Sequence, residues 1–409
     1  MNNFLKEFKD RGYFYQCTGQ EELSKILDKK IRAYIGFDCT APSLHVGSLL
    51  QIMCLRLLQK HGHQPIVLLG GGTTRIGDPS GKEETRKILS EKEIEKNIKN
   101  IKKVFKIFLK TNNSNLTPIF VNNYKWLGKL NYINFLRDIG KHFTINKMLA
   151  FDSVKLRIDR EQSLSYMEFN YMILQAYDFL ELNKSKNCLL QIGGSDQWGN
   201  IVNGVELIKK YLNNVAYGLT TPLITLASGS KMGKTEKGAV WLEKTLLSPY
   251  DYWQYWRNTD DRDVLKFLKM FTDLELDMIE QIKNKNINEL KIILANEATT
   301  MLHGKSAASK AQKTAKVTFE EGSVGSDLPS FKIEKKKIMD GFNLIDLVVS
   351  SNFLSSKSEF RRAIKNKGIR INNQMIEDEK LILKINSFGR KNILKLSYGK
   401  KKHLIIKII

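Results

Sequence analysis

Residues 32–71 read RAYIGFDCTAPSLHVGSLLQIMCLRLLQKHGHQPIVLLGG, and this stretch decides the fold. Residues 32–37 predict a strand, residues 48–62 predict a helix that ends at Gly62, and residues 64–71 predict a buried strand. A strand, a helix and a strand with short connections form a βαβ unit, which implies a parallel sheet. Ligands of such open sheets bind beyond the carboxyl ends of the strands, so chemistry is expected there.

The pattern continues on both sides of this unit and then changes. Apolar runs predict further strands at residues 117–123 and 188–194. From residue 246 to 319 apolar residues recur at three- and four-residue steps, which predicts helices. Residues 320–332, EEGSVGSDLPSFK, are rich in glycine and serine and indicate a linker, with a domain boundary near residue 330.

Length and composition limit the class of protein. The chain has 409 residues, 42% hydrophobic and 27% charged, which is enough for two or three domains and excludes a disordered chain. No apolar run reaches the roughly 18 residues of a membrane span. The four cysteines are scattered and include no C-x-x-C pair, which predicts reduced thiols, a cytoplasmic location and no structural zinc. The N-terminus has no apolar core typical of a signal peptide.

The net charge of +23 has two explanations. A polyanionic partner such as nucleic acid would select it, and a lysine-rich composition would also produce it. Its distribution is uneven: residues 331–409 hold 19 Lys+Arg and 7 Asp+Glu, about half of the excess in about a fifth of the chain. This distribution favours a basic module at the C-terminal end.

Two polar clusters follow the first two predicted strands. Residues 36–48, GFDCTAPSLHVGS, place His45 and Gly47 at a strand-to-helix junction, where free backbone N–H groups favour phosphate. A capping loop with a solvated histidine is the alternative. Residues 70–82, GGGTTRIGDPSGK, end in Asp78 and Lys82, which suit an ammonium group and a phosphate respectively. A flexible glycine loop is the alternative.

Three more clusters lie further along the chain. Residues 171–178, YMILQAYD, place Tyr171, Gln175 and Asp178 on one face of a helix. Residues 191–200, QIGGSDQWGN, follow a strand and offer Asp196 to ribose hydroxyls. Residues 228–238, SGSKMGKTEKG, carry two lysines three positions apart in a glycine- and serine-rich loop, for which a solvated surface loop is the alternative.

Together the five clusters resemble the class I aminoacyl-tRNA synthetases, and specifically their bacterial-type tyrosyl members, over nearly the whole chain. HVGS at residues 45–48 is similar to the HIGH signature and KMGKT at residues 231–235 to the KMSKS signature, in the expected order. GFDCTAPSLH, GGGTTRIGDPSGK, NNYKWLG, YMILQAYDF and QIGGSDQWGN are similar to motifs of the tyrosyl enzymes. The chain departs from the pattern at Ser48, Gly233 and Thr235, which replace a histidine and two serines of the signatures.

The resemblance implies the domain organisation and the fold class, which is α/β. A Rossmann-like parallel-sheet catalytic domain would span residues 1–227, and an α-helical domain with the KMSKS-like loop would span residues 228–320. A linker, residues 321–340, would lead to a small α+β S-four-like RNA-binding domain, residues 341–409. A homodimer with residues 141–154 at its interface is a further expectation of the family.

The resemblance also implies a tyrosine–tRNA ligase activity that uses ATP with Mg²⁺, with no tightly bound cofactor. It assigns residues to three tasks. Those expected in catalysis are Thr40, His45, Lys82, Arg86, Lys231, Lys234 and Thr235. Those expected around tyrosine are Tyr34, Thr73, Asp78, Asn123, Tyr171, Gln175, Asp178 and Gln197. Those expected around ATP are Gly36, Asp38, Thr40, His45, Gly47, Ser48, Gly194, Asp196, Lys231 and Lys234.

The basic end predicts an RNA-binding surface. Residues 342–378 predict a helix, a turn, a second helix from about residue 357 to 366, and a strand that turns at residues 372 and 373. Lys357, Arg361, Arg362 and Lys365 fall at helical steps and would face tRNA phosphates. A solvated basic helix is the alternative.

Three rival functions share parts of these features. A nucleotidylyltransferase shares the H-x-G loop but has no use for the tyrosine pocket or the basic module. An RNA-binding protein derived from a synthetase would keep the module and lose catalytic residues, whereas residues of functional type are present here. The tryptophanyl enzyme is the nearest rival within the class, and an ATP–pyrophosphate exchange assay would separate it.

Overall fold

The structure is a computed structural model that describes residues 2–79, 89–230, 232–235, 238–320, 329–389, 392–399 and 402–409. The chain forms two compact units. The first comprises Met1–Leu247 and Tyr255–Leu302, and the second comprises Ser248–Gln254 and His303–Ile409. None of the helices in these described ranges is long and apolar enough to cross a membrane.

Helices and strands alternate through the first half of the chain. The strands are β1 Gln16–Cys17, β2 Arg32–Asp38, β3 Gln64–Gly70, β4 Ile119–Asn122, β5 Cys188–Gly194, β6 Tyr217–Thr221, β7 Lys234–Thr235, β8 Gly238–Ala239, β9 Ser330–Ile333, β10 Phe342–Asn343, β11 Ile369–Ile371, β12 Gln374–Met375, β13 Ile382–Leu383, β14 Ile393–Tyr398 and β15 Lys402–Ile408. The α-helices are α1 Asn3–Asp10, α2 Gln20–Ile26, α3 Leu49–Lys60, α4 Glu91–Phe108, α5 Tyr124–Leu127, α6 Tyr132–Asp138, α7 Ile145–Leu149, α8 Asp152–Asp159, α9 Tyr166–Phe169, α10 Tyr171–Lys186, α11 Trp198–Leu212, α12 Pro249–Arg257, α13 Val264–Phe271, α14 Leu276–Ile282, α15 Ile287–His303, α16 Lys305–Glu320, α17 Lys335–Met339, α18 Leu344–Ser350 and α19 Lys357–Lys365.

The first unit is built on a six-stranded sheet with the order β1-β6-β5-β2-β3-β4. Strands β2 to β6 run parallel to their neighbours, and only β1 is antiparallel, against β6. The chain moves outward from β2 to β4 on one side and returns through β5 and β6 on the other. The order therefore reverses between β2 and β5, which is where ligands bind in sheets of this kind. The predicted strands, the helix between β2 and β3, and the parallel sheet are confirmed.

Apolar runs explain why the central elements are buried. In β3 every residue after Gln64 is buried, as expected for a parallel strand covered on both faces. The first helix after β2, α3, buries Leu49, Leu50, Ile52 and most of its later apolar residues. The predicted helical stretch of residues 246–319 is confirmed by α12 to α16.

The second unit contains a five-stranded sheet of order β12-β11-β14-β15-β9, in which only the β9–β15 pair is parallel. Helices α18 and α19 contribute Leu344, Leu347 and Phe360 to its apolar core. The predicted turn is confirmed at Asn372 and Asn373, whose φ angles of 47° and 71° lie in the left-handed region that asparagine tolerates.

The predicted linker, residues 321–340, needs a correction at its C-terminal end. Strand β9 pairs with β15, and Ile333 and Ile338 are buried in the core of the C-terminal sheet. These apolar residues stabilise the folded unit, so residues 330–339 belong to it and not to a linker. Residues 321–328 lie outside the described part of the chain, and the predicted boundary at residue 227 stays a prediction.

Candidate active site

A cavity of about 360 Å³ lies at the carboxyl ends of β2 and β5, at the reversal of strand order. Most of the residues that the sequence assigned to substrates line it. These are Tyr34, Gly36, Asp38, Gly47, Ser48, Thr73, Asp78, Tyr171, Gln175, Asp178, Gly194, Asp196 and Gln197. We call the part around the buried Tyr34 and Asp178 the closed end, and the part around the exposed Gly47 and Asp196 the open end.

Asp178 at the closed end is 2% exposed and is held by two donors. Asn123 Nδ2 donates to its Oδ2 at 2.8 Å, and Trp126 Nε1 donates to its Oδ1 at 2.7 Å. Burial raises the pKa of this carboxyl from 3.8 to about 7, although both donors lower it. A carboxyl group is costly to bury in this way, so a function of the site explains it better than stability does.

Tyr34 lies beside this carboxyl and is 1% exposed. Its hydroxyl is buried and has no hydrogen-bond partner within the described residues. Burial, and secondarily the charge of Asp178, raises the pKa of the Tyr34 phenol well above its ordinary value. The closed end thus presents a neutral hydroxyl and a hydrogen-bonded carboxyl, a pair that suits a ligand with its own hydroxyl group.

A chain of hydrogen bonds links the closed end to the end of β2. Thr73 Oγ1 donates to Asp38 Oδ1 at 2.7 Å, and Tyr171 OH donates to Asp38 Oδ2 at 3.0 Å. Asn123 Nδ2 also donates to Thr73 Oγ1 at 3.0 Å, and Gly72 N donates to Asn123 Oδ1 at 2.7 Å. Both polar atoms of the Asn123 amide are therefore engaged, and this fully buried side chain lies behind the cavity wall.

A second network joins Asp78 to the turn after β5. Gln197 Nε2 donates to Asp78 Oδ2 at 3.0 Å and to Asp196 Oδ2 at 3.1 Å. Asn200 Nδ2 donates to Gln175 Oε1 and to Gln197 Oε1, each at 3.1 Å. The amides fix the direction of both carboxylates, which leaves a concentration of negative charge suited to an ammonium group or to ribose hydroxyls.

The loop before α3 supplies the backbone at the open end. His45 begins a short 3₁₀ turn, Val46–Ser48, and its Nδ1 accepts a hydrogen bond from Gly47 N at 3.0 Å. This turn runs directly into α3, so the positive end of the helix dipole faces the cavity.

Several predicted residues do not line the cavity or cannot be placed. Thr40 is exposed in the loop after β2. Lys82, Arg86 and Lys231 lie outside the described residues. Lys234 and Thr235 form β7, and their side chains are likewise outside the described part.

The structure adds three polar residues that the sequence did not single out: Trp126, which contacts Asp178, and Gln51 and Gln191, which line the cavity. Gln51 Nε2 donates to Thr221 Oγ1 at 2.8 Å. Trp126 and Gln191 lie in the quoted motifs NNYKWLG and QIGGSDQWGN, which gave the only sequence signal for them.

The predicted tRNA-facing residues lie in the second unit, where Lys357, Arg361, Arg362 and Lys365 are exposed on α19. Lys357 Nζ pairs with Asp346 Oδ1 at 2.7 Å, and Arg361 Nε lies 3.8 Å from Glu379 Oε2. Acidic neighbours thus offset part of the positive charge of this face.

Comparison with known proteins identifies the family. A family model described as tRNA synthetases class I (W and Y) matches residues 27–320, and one described as the tyrosine–tRNA ligase SYY-like C-terminal domain matches residues 319–406. A tyrosine–tRNA ligase of Pelagibacter ubique (strain HTCC1062) is 71% identical over 100% of both chains. One of Rickettsia massiliae (strain Mtu5) is 50% identical over 99% of this chain and 100% of its own.

Solved structures agree. A C-terminally truncated mitochondrial tyrosyl-tRNA synthetase of Aspergillus nidulans has a TM-score of 0.70 at 30% identity, over 77% of this chain and 94% of its own. The chain therefore belongs to the class I tRNA synthetases of the tryptophan and tyrosine type. Its activity is that of a tyrosine–tRNA ligase, an aminoacyl-tRNA ligase of protein synthesis. The predicted fold class and function are confirmed.

Proposed function

We propose that the closed end of the cavity binds the tyrosine side chain. The single observation that carries this proposal is the buried carboxyl of Asp178 beside the Tyr34 hydroxyl, which has no partner within the described residues. A phenol that donates to Asp178 and accepts from Tyr34 satisfies both groups. Phenylalanine leaves them without partners, so it is rejected by roughly 10⁴ to 10⁵. Tyrosyl-tRNA synthetase is itself the known example of that magnitude.

The ammonium group of the substrate lies between the two hydrogen-bond networks. Asp78 and Gln175 line the cavity there, together with Tyr171 and Thr73. Because the Asn123 amide is engaged on both sides, we assign it to positioning Asp178 and Thr73, not to direct contact with the ammonium group. Gln197 holds Asp78 in the same way.

ATP occupies the open end. The glycines at 36, 47 and 194 allow the nucleotide to approach the backbone closely, and Asp196 accepts from ribose hydroxyls. Thr40 in the loop after β2, together with His45 and Ser48 just before α3, supplies donors to the phosphates. The cations assigned from the sequence, Lys82, Arg86, Lys231 and Lys234, act with Thr235 on the same phosphates. Mg²⁺ bound together with ATP would share the negative charge of the pyrophosphate group.

The chemistry needs alignment more than acid–base catalysis. An oxygen of the tyrosine carboxylate, already ionised at neutral pH, forms a bond to the α-phosphorus of ATP. The bond from that phosphorus to the bridging oxygen breaks, and pyrophosphate leaves with the electron pair. Donors that stabilise the charge on the transferring and leaving phosphates therefore account for the rate. A ribose hydroxyl of the terminal tRNA nucleotide then takes the tyrosyl group and releases AMP.

ATP–pyrophosphate exchange with tyrosine, tryptophan and phenylalanine tests this assignment. We expect exchange with tyrosine alone. Exchange with tryptophan would show that the pocket has the specificity of the tryptophanyl enzymes. Exchange without any amino acid would favour a nucleotidylyltransferase.

The remaining partners stay proposals of the same kind. We assign tRNA binding to the exposed cations of α19. We assign homodimer formation to residues 141–154, where Ile145 and Leu149 are exposed apolar side chains. Sedimentation of an Ile145→Asp variant tests the second assignment, because a buried charge at a dimer interface should yield monomers. The cytoplasmic location and the absence of structural zinc stay predictions.

A further inference from the structure

Helix α4 carries a row of cations that no substrate assignment uses. Five exposed lysines follow one another at steps of four and three residues, which places them along one face of the helix: Lys92, Lys96, Lys99, Lys103 and Lys106. We call these five residues the lysine row. The opposite face of α4 is buried in the first unit, where Phe105 packs on Phe37 of β2 with 4.7 Å between the ring centroids.

Acidic side chains do little to offset the charge of this row. The acidic residues of α4 lie at its beginning, and one of them, Glu91, is paired with Arg75. Residues 96–137 contain nine Lys+Arg and no Asp or Glu. Among the described residues no ion pair involves the lysine row, and Lys103 Nζ donates to the neutral side chain of Asn100 at 3.3 Å. Most of the net positive charge outside the C-terminal end is therefore concentrated here, which a lysine-rich composition alone does not explain.

The lysine row has a length and a spacing that suit a nucleic-acid strand. At 1.5 Å per residue, its first and last lysines lie about 21 Å apart along the helix axis. One strand of a DNA duplex carries a phosphate about every 3.4 Å along its axis, so about six phosphates span the same length. Five unpaired cations therefore match the charge of one strand of backbone over this distance.

The position of α4 connects this row with the cavity. Asn97 Nδ2 donates to Cys39 O at 2.9 Å, which attaches the beginning of α4 to the loop that contains Thr40. Because α4 lies between the parallel strands β3 and β4 along the chain, it runs from the cavity edge of the sheet to the opposite edge. A tyrosine–tRNA ligase must receive the 3′ end of a tRNA at its cavity. This substrate is the polyanion that the activity itself supplies.

We infer that the lysine row is a docking surface for the phosphate backbone of the tRNA substrate. The inference rests on tRNA as the substrate of this ligase and on no role of α19 or of the tyrosine pocket. Each lysine neutralises about one phosphate and releases its counterion, so the contribution of the row decreases as salt is added. Contacts of this kind position the tRNA and do not read its sequence.

The test removes four charges of the row in a variant with Lys96→Gln, Lys99→Gln, Lys103→Gln and Lys106→Gln. Glutamine keeps a long side chain and a good helix propensity. Fluorescence anisotropy with a labelled tRNA(Tyr) transcript should show binding about 10- to 100-fold weaker at about 0.1 M salt, and a slope of log K against log salt that is smaller by about 4. The KM for tRNA in aminoacylation should rise by a similar factor. Tyrosine-dependent pyrophosphate exchange, which needs no tRNA, should not change.

A matched control removes the same charge elsewhere on the first unit. It replaces by glutamine four exposed lysines that form no row: Lys6, Lys29, Lys184 and Lys285. This control should bind the transcript with nearly the affinity and the salt slope of the wild type. Equal weakening in the two variants would show that only net charge matters and would overturn the inference.

Two further variants keep the inference falsifiable. Arginine at the same four positions of the row should retain tRNA binding, because the charge remains. If the four-site glutamine variant does not fold, Lys103→Gln alone should lower the salt slope by about 1. An unchanged affinity and salt slope in the glutamine variants would show that the row is a solvated face of α4 and would refute tRNA docking there. Failure of the tyrosine pocket would appear instead in pyrophosphate exchange, without any tRNA present.

Discussion

The two ends of the cavity are built differently. At the closed end, Asp178 receives hydrogen bonds from the buried Asn123 and the half-buried Trp126, and the buried Tyr34 lies beside it, so these polar groups are in place before a ligand binds. At the open end, the described wall includes glycine backbone, Ser48 and the exposed Asp196. Under the proposed assignment, a buried core would select the amino acid, whereas backbone and loop residues would hold the nucleotide.

Removal of the carboxylate at the closed end is the strongest test of this difference between the two ends of the cavity. Asp178→Ala should lower kcat/KM for tyrosine by about 10³-fold, because Asn123, Trp126 and the substrate phenol all lose their acceptor. The KM for ATP should change little. Tyrosine-dependent pyrophosphate exchange measures both, with Glu181→Ala on the same helix as the control. An unaltered exchange rate in Asp178→Ala would remove this residue from the pocket.

The same carboxyl should make stability depend on pH. Its pKa is raised from 3.8 to about 7 in the folded chain, so the folded state binds the proton more tightly than the unfolded state does. The stabilisation is complete below about pH 4 and is lost as pH rises through 7. Relative to Asp178→Asn, the wild type should lose roughly 2 kcal/mol between pH 5 and pH 7, at 1.36 kcal/mol per pH unit and with the carboxyl half-deprotonated at pH 7.

Denaturant unfolding of both chains across this range measures the difference. The asparagine of the variant places one polar atom opposite a donor, which changes its free energy of unfolding by the same amount at every pH. The informative quantity is therefore the slope of the free energy of unfolding against pH. If the free energies of unfolding of the two chains change in parallel with pH, the Asp178 carboxyl titrates normally. Water would then have more access to the closed end than the burial of Asp178 indicates.

Tyr34→Phe tests the other half of the closed end. Loss of one neutral hydrogen bond should reduce kcat/KM for tyrosine about tenfold and leave the weak use of phenylalanine unchanged. The free protein should become slightly more stable, because the variant no longer buries a hydroxyl without a partner. Exchange kinetics with both amino acids and thermal unfolding without ligand check these two effects. A loss of stability would mean that the Tyr34 hydroxyl is hydrogen-bonded in solution.

Local patterns explain what could be predicted from the sequence. Strands β2 and β3 are continuous apolar runs, and the face of α10 follows from helical spacing. Strand β9 was missed because it lies in a turn-rich stretch and pairs with β15, about 70 residues away. The hydrogen bond between Asn123 and Asp178 was not predicted for the same reason, because only the fold brings these two side chains close.

The smallest effect is expected at the open end, from Ser48→Ala. The Ser48 side chain makes no capping hydrogen bond to α3, so its loss should leave stability unchanged. A neutral hydroxyl contributes about 1 kcal/mol to a contact with ATP, and the KM for ATP in pyrophosphate exchange should therefore rise only about fivefold. The His45→Ala variant, in the same loop, provides the comparison, and its KM for ATP should rise more than that of Ser48→Ala. A rise in the KM for ATP above about 30-fold in Ser48→Ala would show that the side-chain hydroxyl, and not the backbone, holds the phosphates. The open end would then be as pre-formed as the closed end, and the contrast between them would disappear.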